Sequence, residues 1–115
     1  MNSMQRYLLI LGLLLSGTAA AFPRDLQTVE GTLEIAKNMF VIVSDRTLSA
    51  GSDFDDSIAQ SRRVMLAGYS TEQAEDLNKL TGKRVRASGI LGQAFTHHHT
   101  EPLVLVLQGL PKEIK

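Results

Sequence analysis

The residues best equipped for chemistry sit in one short stretch. FTHHHTEP, Phe95 to Pro102, holds all 3 histidines of the chain. In an extended segment side chains alternate between faces, so His97, His99 and Glu101 point the same way. Two neutral imidazoles and a carboxylate are enough for an open three-ligand site for zinc or copper. Thr96 and Thr100 are available to orient the ligands. His98 has the opposite parity and suits a structural or partner contact. The plainer reading is that all three imidazoles pack and hydrogen-bond to hold a loop.

A second cluster is SDFDD. Ser52, Asp53, Asp55 and Asp56 offer oxygen atoms of the kind calcium takes, but the register, glycine and terminal glutamate of an EF-hand are missing. A solvated loop is the simpler reading. Phe54 stands out there, since an aromatic flanked by charge is a typical anchor for a protein partner or a cap tucked under a barrel. The third cluster is basic. Arg84 and Arg86 share one face of KRVRASGIL, opposite Lys83, Val85 and Ala87. Two arginines so placed can grip a phosphate or carboxylate, or face Glu30 and Glu34 across a strand.

Composition narrows the functions. The chain has 115 residues, 12 basic and 12 acidic side chains, and no cysteine. One domain is the ceiling at this length. Balanced charge and few aromatics argue against a nucleic-acid binder. Without cysteine there is no disulfide, thiolate metal site or thiol nucleophile. No G-x-S-x-G elbow accompanies the histidines, and nothing else favours an enzyme.

The N-terminus has the layout of a secretory signal peptide. MNSMQR carries one positive charge, YLLILGLLL is apolar, and SGTAAA ends with Ala19 and Ala21 in an A-x-A arrangement. The apolar core is shorter than the roughly 20 residues needed to span a bilayer. We expect a signal peptide over residues 1–21 and a single domain over 22–115. The product would be periplasmic or secreted, with no stable membrane anchor after cleavage.

The elements that must position these residues follow from periodicity. QTVEGTLEIA, Gln27 to Ala36, alternates with Val29, Leu33 and Ile35 on one face and reads as a strand. Gly31 within it suggests a bulge or sharp bend. Lys37-Asn38 is a tight turn into a second strand, MFVIVSD. The polar stretch RTLSAGSDFDDSIAQ reads as a long loop, and Arg62 to Tyr69 as a third strand. STEQAEDLNKL changes period. Ser70 and Gln73 form a capping box, Ala74, Leu77 and Leu80 fall at helical spacing, and Gly82 stops the helix. Lys83–Leu91 and Leu103–Leu110 are strands four and five, and PKEIK is a polar tail. The order β-β-β-α-β-β is that of an OB-fold-like five-stranded Greek-key barrel.

LTGKRVRASGIL followed by GQAFTHHHTEPLVLVL resembles a family of small exported bacterial domains known only as a domain of unknown function. Gly82, Lys83, Val85, Ser88 and Gly89 match its Gly-Lys-x-Val-x-x-Ser-Gly strand. Ala94, Thr96, His98, His99 and Thr100 match its histidine loop. The resemblance covers about the last third of the chain, and the family's Gly-Pro-Pro-rich insert after the first strand is missing here. It implies an exported domain of OB-like fold and brings no activity with it.

These readings converge on a small exported binding protein. The leading expectation is protein binding, as an inhibitor or immunity-type protein facing an envelope or toxin partner through Phe54, Asp55, Asp56 and the histidine segment. A metal-binding accessory role through His97, His99 and Glu101 is the alternative. Small-ligand binding in the barrel mouth is the third.

Overall fold

A computed structural model describes residues 26–52, 54–94 and 100–115. The expected signal peptide, Asp53 and the segment 95–99 with His97, His98 and His99 lie outside the described residues. The elements are β1 (Gln27–Ala36), β2 (Met39–Gly51), β3 (Ile58–Ala67), α1 (Thr71–Leu80), β4 (Arg84–Gln93), β5 (Leu103–Leu107) and β6 (Lys112–Glu113). Neighbours run β1-β2-β3-β5-β4, and β1 pairs with β4 to close a five-stranded barrel. The β3–β5 contact is parallel and the other contacts are antiparallel. This bears out the mostly β barrel with one helix between strands three and four.

Closure depends on two strands that each change partner midway. β1 pairs with β4 over Gln27–Thr32 and with β2 over Gly31–Ala36. β4 pairs with β1 up to Gly89 and with β5 from Gly89 onward. Glycine occupies both corners because the next strand's backbone passes where a Cβ would stand. At Gly31 that Cβ would run into the Val43 carbonyl, and at Gly89 into the Val106 carbonyl. At Gly31, where a bulge or sharp bend is expected, the strand registers run through unbroken, and the glycine answers to a close backbone approach.

The core follows the alternation. Val29, Leu33, Ile42, Val64, Leu66, Val85, Ala87, Leu103 and Leu105 fill the barrel, and Leu77 of α1 joins them. Burying one leucine side chain is worth about 1.5–3 kcal/mol, so Leu77 largely explains why α1 stays docked. Ser70 accepts from the Gln73 N–H while the Gln73 side chain accepts from the Ser70 N–H, the expected capping box. Lys37 and Asn38 have φ of 53° and 67°, which makes the two-residue β1–β2 turn of the type that matches strand twist.

Five expectations need correction. The polar stretch from Arg46 to Gln60 is mostly strand. β2 resumes pairing after an irregularity between Val43 and Leu48, and Leu48–Gly51 pair with Ile58–Ser61. Ser, Gly and Asp had marked it as loop, but Leu48, Ala50 and Ala59 pack toward the core and hold it in register. β3 therefore starts four residues early, at Ile58. β5 stops at Leu107: Gln108 still gives its N–H to the Ser88 carbonyl at 2.8 Å, but Gly109, with φ of 84°, turns the chain away. The tail adds β6 to β4, pairing Lys112 with Arg86 and Glu113 with Val85. Ile35 is exposed because it lies at the end of β1 beside the turn.

Candidate binding site

The β2–β3 hairpin runs on beyond the residues that β1 and β5 pair, as an arm whose Leu48, Ala50 and Ala59 pack on the core. At its tip, Ser52 and residues 54–57 are linked by their own side chains. The Ser52 hydroxyl accepts from the Phe54 N–H at 2.9 Å and the Asp55 N–H at 3.3 Å. The Asp55 carboxylate accepts from the Ser57 N–H at 2.8 Å, and the Ser52 N–H donates to the Ser57 carbonyl at 3.0 Å. Hydrogen bonds from Ser57 hold the Asp55 carboxyl below its ordinary pKa, so the tip is anionic at neutral pH.

The tip and the first residue of β3 carry two exposed apolar side chains. Phe54 is 79% exposed and Ile58 is 68% exposed. Asp55 and Asp56 flank Phe54, and no basic residue occurs between Arg46 and Arg62. The expected aromatic anchor is thus presented outward and is not a cap under the barrel.

The arm and the residues that flank 95–99 come together at one end of the barrel. Gln93, the last residue of β4, donates its side-chain amide to the Ala50 carbonyl at 3.2 Å and the Ser57 carbonyl at 3.1 Å. The next residue, Ala94, donates its N–H to the Pro102 carbonyl at 2.9 Å and brackets the segment between them. The far side of that bracket is tied to β3. Arg63 donates to Glu101 at 3.1 Å, and the Thr100 hydroxyl lies 3.8 Å from the Met65 sulfur. The Glu101 side chain is only 12% exposed. Arg63 also reaches Glu34 at 3.6 Å, across β2.

The candidate ligand Glu101 is therefore already committed to an arginine, while His97 and His99 lie outside the described residues. Among the described residues no group of three metal-ligating side chains comes together.

Arg84 and Arg86 point outward while Val85 and Ala87 are buried, as their parity requires. Arg84 grips Asp45 through two bonds of 2.7 Å, and Arg86 meets Glu30 at 2.6 Å. The Arg84 hydrogen bonds hold the Asp45 carboxyl below its ordinary pKa, and Asp45 raises that of Arg84. Thr28 and Ser88 continue the row at 3.5 Å. The pairing of Arg86 with Glu30 follows the cross-strand register. The Asp45 partner was not legible, because it arrives from β2 only after the irregularity that follows Val43. Thr28, Glu30, Asp45 and Arg46 line a shallow depression of about 290 Å³ beside this row.

The fold and this end of the molecule define a small closed barrel with a hairpin tip whose turn is tied by the Ser52 and Asp55 side chains. The family model described as a domain of unknown function, DUF4431, matches residues 63–114. The similarity thus reaches beyond the strand-and-histidine motif, from the second half of β3 through α1, β4 and β5 to β6. No curated protein matches the chain.

Proposed function

We propose that this chain is a small exported binding protein whose partner is another protein, held through the arm tip and the histidine segment. The observation that carries the reading is Phe54, 79% exposed on a loop whose backbone is fixed by its own serine and aspartate side chains. A rigid aromatic loses little conformational entropy on binding, and such residues are over-represented among interface anchors. The acidic flanks suit a partner with a basic rim. An inhibitor or immunity-type role toward an envelope or toxin protein fits the size, the leader and the lack of a catalytic motif.

The test is native mass spectrometry of the untagged mature chain, purified gently from its own envelope fraction. A retained protein, lost when Phe54 is changed to Ala, supports the reading. A mass excess of one transition metal, removed by chelator and absent from a His97→Ala/His99→Ala variant, replaces it with the metal-binding one.

A further inference from the structure

β6 sets two cations against each other. Arg86 of β4 and Lys112 of β6 are register partners. Residues directly opposite in an antiparallel pair project to the same face, with their Cβ atoms roughly 5 Å apart. Val85 and Ala87 are buried, so Arg86 and Lys112 both stand on the outside of the barrel, where each is exposed. Like charges so placed destabilise a strand pair. The tail is docked all the same. Pro111 is buried, and the Ile114 N–H donates to the Arg84 carbonyl at 2.9 Å.

The acid that Arg86 holds lies on its far side. β1 and β6 pair with opposite edges of β4, so Glu30 approaches Arg86 from one side and Lys112 from the other. Glu30 takes the Arg86 Nε at 2.6 Å, which leaves the terminal nitrogens for another acceptor. Among the described residues Lys112 has no hydrogen bond or ion pair. Glu113 has the other parity, opposite Val85, and meets Lys115 at 3.8 Å. Arg84, two residues before Arg86 on the same face, spends both terminal nitrogens on Asp45 and adds only its charge. Ser88, two residues after, adds a hydroxyl.

A guanidinium, an ammonium and a hydroxyl on one face need an acceptor with several separate anionic oxygens. A tetrahedral phosphoryl group supplies them, whereas a carboxylate has only two oxygens in one plane. We propose that this face is a phosphate site, in which Arg86 and Lys112 share one phosphoryl group and the bound anion holds β6 on β4.

The test is an NMR titration of the chain from Phe22, which contains every described strand and the helix, with pyrophosphate. Ionic strength is held constant with sodium chloride, so that screening of the two cations is the same throughout. The Arg86 and Lys112 amide signals should shift saturably, and the thermal unfolding midpoint should rise. Lys112→Glu gives Arg86 an acid from within the chain. It should raise the midpoint without pyrophosphate and weaken pyrophosphate binding about tenfold or more. Lys79→Ala, which removes a cation from α1, should bind as wild type does. Vesicle flotation separates the sources of the phosphate. Retention on phosphatidylglycerol vesicles but not on phosphatidylcholine vesicles, lost in Lys112→Glu, places it on a lipid. Saturation by pyrophosphate without retention places it on a soluble ligand. The proposal is overturned by no saturable shift and no retention, by undiminished binding in Lys112→Glu, or by equal weakening in Lys79→Ala.

Discussion

Gln93 and Ser57 are joined by a 3.1 Å hydrogen bond from the side-chain amide of one to the backbone carbonyl of the other. The last residue of β4 thereby holds the tip of the arm, and the same amide reaches the Ala50 carbonyl. Gln93→Ala should leave the barrel folded, because the arm's own strand pairing is untouched. We expect a stability loss of about 1–2 kcal/mol and faster amide exchange at residues 50–58, read by denaturant titration and hydrogen exchange.

The corner glycines make a sharper prediction. Gly31→Ala and Gly89→Ala each place a methyl group against a backbone carbonyl that cannot retreat without breaking barrel closure. Each should cost several kcal/mol, enough to prevent folding in a domain of this size. Gly92→Ala, with open space around its Cβ, should change stability by less than about 1 kcal/mol. Thermal unfolding followed by circular dichroism separates the two classes.

Acid should loosen the outer charged row through Asp45. Its carboxyl is held below the ordinary value of 3.8 by Arg84. A lowered folded-state value means that the contribution is fully present above the unfolded value and fades as pH falls through the folded one. A carbon-detected NMR titration should find Asp45 titrating below 3.8. In Arg84→Gln its midpoint should move up toward the ordinary carboxylate range. The pair is exposed, so the effect on overall stability at neutral pH should stay small.

Glu101 and Arg63 decide between the two functional readings of the histidine segment. Zinc or copper that recruits Glu101 must share its carboxylate with the cationic guanidinium 3.1 Å away, which weakens metal binding by like-charge repulsion. A metal site would therefore bind more tightly in Arg63→Ala. Protein binding through the arm predicts no saturable uptake by either wild type or Arg63→Ala in isothermal titration with zinc or copper.

Much of this was legible from residue pattern, and what was not has physical causes. Alternation placed Val29, Leu33, Val85 and Ala87 inside and Arg84 and Arg86 outside. The Ser70–Gln73 spacing placed the helix. The arm was hidden because its strands are built from Ser, Gly, Ala and Gln, whose composition signals loop. Only Leu48, Ala50 and Ala59 betray that one face packs, and their spacing makes sense only once the irregularity after Val43 is known. β6 is two residues long and has no period to read. Phe54 was singled out by its acidic neighbours alone. Its outward presentation depends on the Ser52 and Asp55 turns, which sequence suggests but does not orient.

Photo-crosslinking at position 54 bears most directly on the proposed role. Phe54 is replaced by a photoreactive phenylalanine analogue in the cells that make the chain, and Leu110, also exposed, serves as the control position. Binding through the arm tip predicts one discrete adduct at position 54, absent from the control, whose protein binds Phe54→Ala about 30-fold more weakly than wild type. No adduct, or the same diffuse adducts at both positions, would contradict it.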